Sequence, residues 1–241
     1  MSDIRGDKMA MIFQEPMTSL NPAYSIGNQL MEAMLRHKKI SRGAARDRAV
    51  ELLQKVGIKD AENRLRQFPH QLSGGLRQRV MIAMALMCDP DLSIADEPTT
   101  ALDVTIQAQI LSLLKELQDD LGMGLLLITH DMGVVARMAD RVAVMYAGRI
   151  VEEGTVHQVF ANANHPYTKG LMSCIPVPGK IKRGDPLGTI PGIVPSLVGD
   201  FSGCRFRTRC PFSEDICAIE EPNLIHKDLD KRHSSACHID Q

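Results

Sequence analysis

The sequence predicts an α/β fold built on a parallel sheet with helices on both faces. Three observations predict it. Residues 9–13, 92–95 and 125–129 are short apolar runs of strand length, and runs of that kind suit strands buried on both faces. Segments of helical period lie between them, so that strand and helix alternate. Each run ends near polar residues, Gln14, Asp96 with Glu97, and His130, and open parallel sheets bind ligands beyond such strand ends.

In chain order, the strand over 9–13 is followed by Pro16 and the Asn21, Pro22 pair, which mark a loop. Residues 26–56 are helical in pattern, with Leu30, Met34, Leu35, Val50, Leu53 and Val56 on apolar faces, and Gly57 closes the region. Ser73 is a natural N-cap for a helix that follows Gly74 and Gly75 and runs to about 87. That helix is apolar on most sides and should be buried. Asp89 and Pro90 break it, and the strand over 92–95 follows. Ile106, Ile110, Leu113, Leu114, Leu117 and Leu121 step by three and four through a long helix from about Val104, with Gly122 as its stop. After the strand over 125–129 and a short helix to about 139, residues 142–146 and 149–152 read as two strands around Ala147 and Gly148. Beyond Gly154 the texture changes: 176–200 is rich in Pro and Gly and leads into four cysteines. A domain boundary is expected near 155.

Composition narrows the function classes. The chain has 241 residues, 44% hydrophobic and 24% charged, which is ordinarily globular. Aromatics are only 4%, with no Trp and 14 Met, so the core must be aliphatic. A net charge of −1 argues against a large sequence-independent nucleic-acid surface. No apolar run is long enough to span a bilayer, and the first residues lack the pattern of a secretory signal. A soluble chain, or one held at a membrane through partners, is expected.

The polar strand ends carry the chemistry. Asp96 has the place of the carboxylate that holds Mg²⁺ in nucleotide-hydrolysing sheets. Glu97 can accept a proton from an attacking water. His130 can meet the γ-phosphate or that water, and Gln14 the metal or the water. Taken singly, a strand-end Asp is more often a helix cap and a His more often a structural group; in this order, coincidence recedes. Ser73, Gly74 and Gly75 open a helix whose unpaired N–H groups suit an anion.

The segments MIFQEP, LSGGLRQRV, LSIADEPTTALDVT and LLLITHD resemble the Q-loop, signature, Walker B with D-loop, and H-loop of ABC transporter ATP-binding subunits. FQEPMTSLNP, VMYAGRIVEEG, HPYTKGL at 165–171 and GCRFRTRCP at 203–211 resemble the dipeptide/oligopeptide/nickel import branch in particular. The resemblance implies an ABC-type nucleotide-binding domain over 1–155, a parallel-sheet P-loop core plus a helical subdomain at about 15–75. A small irregular cysteine-containing extension would occupy 156–241.

It implies roles as well. Glu97 would be the catalytic base, His130 would position the γ-phosphate, and Gln14 would sense the γ-phosphate and Mg²⁺. Asp96, with Gln14, would hold Mg²⁺. Ser73, Gly74, Gly75 and Gln78 would bind, in trans, the ATP of an opposing subunit, and Asp103 of the D-loop would cross the dimer interface. The implied partners are a second ABC ATP-binding subunit, two integral membrane permease subunits and, indirectly, an extracytoplasmic solute-binding protein, with no nucleic acid. The implied place is peripheral, on the cytoplasmic face of the plasma (inner) membrane.

Two features complicate that picture. The phosphate-gripping pattern G-x-x-x-x-G-K-[ST] belongs upstream of the Q-loop, yet the thirteen residues before Gln14 do not contain it. The Gly179, Lys180 pair does not substitute for it, having Cys174 at the first glycine position and Ile181 after the lysine. The expectation is an N-terminally truncated family member, inactive in ATP hydrolysis by itself and aggregation-prone; the alternative is a non-catalytic fragment that lends only its signature to another subunit.

The second feature is Cys204, Cys210, Cys217 and Cys237, spaced C-x5-C-x6-C-x19-C. This is not the tight pairing of a zinc ribbon, and free structural thiols compete with a metal staple for a segment poor in apolar residues. The resemblance implies a [4Fe–4S] cluster there, with Zn²⁺ as the alternative. Ser93, in an otherwise apolar strand, is expected to bond to backbone, and Cys88 and Cys174 to be ordinary buried thiols.

Overall fold

The computed structural model describes residues 1–100, 102–175, 188–196, 202–226 and 232–239; the Gly179, Lys180 pair lies outside them. The chain forms two units, Met1–His130 and Asp131–Gln241.

In the first unit, β1 (Met9–Ile12), β2 (Leu92–Asp96) and β3 (Gly124–Ile128) form a parallel sheet in the order β1-β2-β3. Met9 pairs with Leu92 and Leu92 with Gly124, so the ends of all three strands come level. That register aligns the polar residues following each strand. Between β1 and β2 lie the helices α1 (Pro16–Ser19), α2 (Ile26–His37), α3 (Arg42–Lys55), α4 (Ala61–Arg64) and α5 (Gly74–Ala85). The region read as one helical stretch is two helices, because Lys38 leaves helical geometry and Ser41 caps a new start by accepting from Ala44 N–H at 3.1 Å. Gly57 then turns the chain with φ +79°, open to glycine at little cost. The apolar helix α5 is buried as its composition requires: Val80, Met81, Ile82 and Ala83 are all 0% exposed. The long helix α6 (Val104–Leu121) ends on Gly122 in the left-handed conformation and buries Ile110, Leu113, Leu114 and Leu117.

The sheet is only partly covered, in line with the expected tendency to aggregate. A parallel sheet covered on both faces would hide β3, but Leu126 is 51% and Ile128 44% exposed, and Met11 and Phe13 are exposed as well. The sheet has three strands, with β3 an unpaired edge among the described residues. Such an edge with apolar side chains is a template for association.

Ser93 also departs from expectation. It is 0% exposed, and among the described residues its hydroxyl has no hydrogen-bond partner. The strand's own amide and carbonyl groups are taken up by the ladders to β1 and β3. An unsatisfied buried hydroxyl costs about 1–3 kcal/mol. Ser93→Ala is therefore expected to raise stability by about 1 kcal/mol, read as a higher urea midpoint with an unchanged slope.

The second unit begins with α7 (Met132–Met138), followed by β4 (Arg141–Tyr146), β5 (Arg149–Thr155), α8 (Val156–Ala161) and α9 (Pro166–Ser173), then α10 (Ile216–Ile219), β6 (Ile225–His226) and β7 (Ser234–Ser235). The hairpin β4-β5 turns on Ala147 and Gly148, φ +46° and +78°, the left-handed pair that matches strand twist. The sheet order is β4-β5-β7-β6. The tail is thus less irregular than its composition suggests, and the units divide at 130/131, because β5 takes the tail strand β7 as its neighbour through Glu152–Ser235 and Glu153–Ser234. Val144, Tyr146, Val151, Val159 and Phe206 form its apolar core.

A buried polar cluster ties this unit together. Glu152 is 0% exposed, and its carboxylate accepts from Asn164 N–H (2.7 Å), His165 N–H (2.9 Å) and His233 Nε2 (2.7 Å). His165 in turn caps α9, its Nδ1 accepting from Tyr167 N–H at 3.0 Å. Burial pushes the His165 imidazole down to about 4, against a smaller opposing pull from Glu152.

Candidate functional site

Four side chains from three segments of the first unit meet beyond the strand ends. Glu97, one residue past β2, is their centre. Its Oε2 accepts from Gln14 Nε2 at 2.8 Å and from Thr100 Oγ1 at 2.9 Å, while its Oε1 lies 3.0 Å from His130 Nδ1. Gln14 follows β1 and His130 follows β3, so the parallel register brings them to either side of the central strand. Glu97 itself holds a left-handed backbone, φ +42°, pinned by its N–H to the Ile128 carbonyl at 2.9 Å. A non-glycine residue in that region stores strain, a feature that clusters at functional sites.

The electrostatics follow from these contacts. The His130 hydrogen bond, then the one from Thr100, hold the Glu97 carboxyl below its ordinary range. Glu97 is therefore ionised at neutral pH, and the stabilisation it draws from these partners is lost only as pH falls through that lowered range. The cluster is open to solvent: the side chain of His130 is 74% and that of Glu97 24% exposed. A carboxylate oriented by three groups and facing water can polarise a water molecule and take its proton.

Asp96 ends β2 beside Glu97, half-buried, and among the described residues its carboxylate carries no hydrogen bond or ion pair. Mg²⁺ in phosphate sites uses one or two protein oxygens and takes the rest from water and substrate phosphates. Asp96, with the amide oxygen of Gln14, fits that requirement.

The signature residues occupy the start of α5. Ser73 caps it, accepting from Leu76 N–H at 3.4 Å. Nothing lies within 4 Å of the position a Cβ would take on Gly74, and a Cβ on Gly75 would meet Ile106 Cγ2 at 3.4 Å. The open approach to Gly74 leaves the helix-start N–H groups reachable by an anion. Gln78, expected in the same in-trans set, packs inward in this chain. It is 1% exposed and donates to the Pro98 carbonyl at 2.6 Å, so it ties α5 to the turn after Glu97. Asp103 caps α6, its Oδ1 accepting from Ile106 N–H at 3.0 Å, and it stays exposed beside Val104.

Thr100 escaped the sequence reading. The only signal was its place three residues after Glu97 in a turn, where a hydroxyl can return to the carboxylate.

Residues 1–100 match the ABC transporter family model, and residues 151–217 match the oligopeptide/dipeptide transporter C-terminal region. A putative peptide import ATP-binding protein of Brucella melitensis is 55% identical over 98% of the chain and 71% of its own length. The chain belongs to the ABC transporter ATP-binding subunits of the oligopeptide/dipeptide branch. The oligopeptide transport ATP-binding protein AppD of Bacillus subtilis is also 55% identical, over 93% of this ABC chain and 68% of its own. Among solved structures, the ATP-binding cassette MJ0796, a dimeric post-hydrolysis state bound to ADP and Pi, superposes with a TM-score of 0.57 at 30% identity. That likeness covers 64% of this chain and 66% of MJ0796. CbiO1 of Clostridium perfringens, part of the ABC transporter complex cbiONQ, gives 0.56 at 32% identity, covering 64% and 60%.

The cysteines of this ABC chain do not form a metal site as arranged. Cys204, Cys210, Cys217 and Cys237 are electrostatic neighbours, and burial pushes the Cys204 and Cys210 thiols up. Cys204 and Cys210 pack on the apolar core of the second unit. Among the described residues, no group of three or more His, Cys, Asp or Glu side chains is placed to hold a metal ion. The iron–sulfur cluster and the Zn²⁺ expected from the sequence thus find no support in this arrangement. Cys88 is buried at 3% exposure, whereas Cys174 is half-buried, its thiol directed to the Gly170 carbonyl at 3.2 Å.

Proposed function

We propose that this chain is the energy-coupling ATP-binding subunit of a peptide importer, contributing a hydrolytic carboxylate and a signature helix to sites shared between two such subunits. The observation that carries the reading is the Glu97 cluster: a strained, ionised carboxylate held by Gln14, Thr100 and His130 at the ends of three parallel strands. Glu97 takes the proton of the attacking water, His130 and Gln14 orient the water and the γ-phosphate, and Asp96 with Gln14 holds Mg²⁺. When bound, Mg²⁺ neutralises charge on the phosphates during their transfer. Ser73, Gly74 and Gly75 cap ATP held by the opposing subunit, through N–H groups at the start of α5.

The peptide substrate is supported by the names of the relatives and by the C-terminal-region match, which also supports a family division near 155. The partners follow: a second ATP-binding subunit, two membrane permease subunits and a solute-binding protein beyond them, with this subunit peripheral on the cytoplasmic face. No helix among the described residues is long and apolar enough to cross a membrane.

The 241-residue chain contains no G-x-x-x-x-G-K-[ST] pattern. That loop supplies backbone donors, a lysine and the hydroxyl ligand of Mg²⁺, and a single lost donor costs about 3 kcal/mol of transition-state stabilisation. The chain by itself is therefore expected to show no phosphate release from Mg·ATP above that of its Glu97→Gln variant. Turnover that disappears with Glu97→Gln would overturn this part of the reading.

A further inference from the structure

The second unit holds a cavity that the ATP-handling role does not use. It has a volume of about 530 Å³ and opens between the β4-β5 hairpin and the segment over 204–224. That is the size range of small-molecule sites. Its floor is apolar and buried, with Val151 at 7% and Phe206 at 2% exposure. Its wall carries Met145, Ile150 and Leu224, large apolar side chains left 61%, 40% and 39% exposed. Three such side chains around one concavity gain by meeting an apolar ligand.

The polar edge is equally specific. Glu221 takes two arginines. Arg149 grips it twice, Nε to Oε1 at 3.1 Å and an Nη to Oε2 at 3.3 Å, and Arg205 Nε reaches the same Oε1 at 3.2 Å. A further Nη of Arg205 donates to the Ala147 carbonyl at 2.5 Å, which fixes that guanidinium to the hairpin turn. Two guanidiniums against one carboxylate leave one positive charge in surplus. His165, which also lines the cavity, adds none at neutral pH, since burial keeps its imidazole uncharged.

We infer that this cavity binds a small amphipathic monoanion, an apolar body bearing one carboxylate, with the acid at Arg149 and Arg205 and the apolar part against Met145, Ile150 and Leu224. One surplus charge and the guanidinium N–H groups that Glu221 and Ala147 do not take up match a single carboxylate. A nucleoside triphosphate, with several charges, would overfill the site. The same chemistry occurs in the C-terminal end of a short apolar peptide and in a free aliphatic acid. The inference does not rest on the hydrolytic role of Glu97.

Ligand-observed NMR titration of the full chain tests it, with N-acetyl-leucine against N-acetyl-leucinamide as the matched acid and amide. The acid is expected to bind at least about tenfold more tightly, the scale of a hydrogen bond to a charged group. Arg149→Gln should remove that preference; its side chain is 59% exposed, so folding does not depend on it. Leu224→Gln should weaken acid and amide alike, since it touches only the apolar wall. N-acetyl-leucyl-leucine and hexanoate identify the source: tighter binding of the first points to peptides, of the second to free acids. Equal binding of acid and amide, no binding of either, or an acid preference unchanged in Arg149→Gln would overturn the inference.

Discussion

Where the assembled transporter sets a complete phosphate loop against Glu97, replacing Glu97 with Gln is expected to lower ATP turnover by about 10²–10⁴-fold, the usual contribution of a positioned general base. The amide has the shape of the carboxylate and can keep contacts to Gln14, Thr100 and His130, but it cannot take a proton from water. Nucleotide affinity should therefore stay near that of the parent, so the effect falls on kcat and leaves KM largely unchanged. Thr100→Ala should have a smaller effect, because it removes one of the three contacts that aim Glu97 and leaves the acceptor in place. Its readout is the pH profile: without the Thr100 hydrogen bond, the acid limb of turnover should move to higher pH, since that bond is the second largest cause of the lowered Glu97 carboxyl. Phosphate release at saturating ATP, with nucleotide binding measured in parallel, separates these outcomes.

Glu152→Ala is expected to destabilise the second unit by about 2–6 kcal/mol, since it strands two buried N–H donors and each costs about 1–3 kcal/mol. The substitution strands the buried N–H groups of Asn164 and His165 and removes the acceptor of His233, so the tail strand β7 loses its side-chain link to β5. Faster labelling of Cys204, Cys210 and Cys237 by a thiol reagent, beside a lower melting temperature, is the expected pair of results. Glu152→Gln keeps an acceptor and should cost less. The same cluster sets a pH dependence. His165 falls to about 4 in the folded chain from an ordinary value of 6.5, so below 6.5 the unfolded chain takes up protons that the folded chain refuses. Stability of this unit should fall as pH drops from about 6.5 to about 4 and change little above 7.

The Glu97 cluster was legible because its members announce themselves locally. Gln14, Glu97 and His130 each follow an apolar run, and a parallel sheet in register brings such residues together without further information. Ser73, Gly122 and Gly57 were legible for the same reason, since caps and left-handed turns are written within a few residues. What the sequence hid is non-local. Glu152 sits in a strand where a carboxylate reads as a solvated face, and its partner His233 lies 81 residues away. Gln78 belonged by resemblance to the signature, and only the packing of α5 against the turn after Glu97 shows it facing inward. The tendency to aggregate was legible, but not that Leu126 and Ile128 would carry the exposed surface, because an apolar run predicts burial without saying which neighbours provide it. The cysteine spacing left a metal and free thiols both open, and the apolar packing of Cys204 and Cys210 favours the thiols.

These same exposed strand residues bear on handling the chain. An apolar parallel edge at β3 invites association, and Leu126→Lys, which charges that edge, should reduce self-association with little cost to the buried core.

The central claim is that the signature of this chain serves a nucleotide gripped by another subunit, while Glu97 serves the chain's own side of the interface. Photolabelling with an ATP analogue reactive at its γ-phosphate tests it directly. In the presence of an ABC subunit carrying a complete phosphate loop, label should appear on the peptide containing Ser73, Gly74 and Gly75, and it should vanish when the chain is alone. Equal labelling of that peptide in the isolated chain, or none with the partner present, would contradict the account.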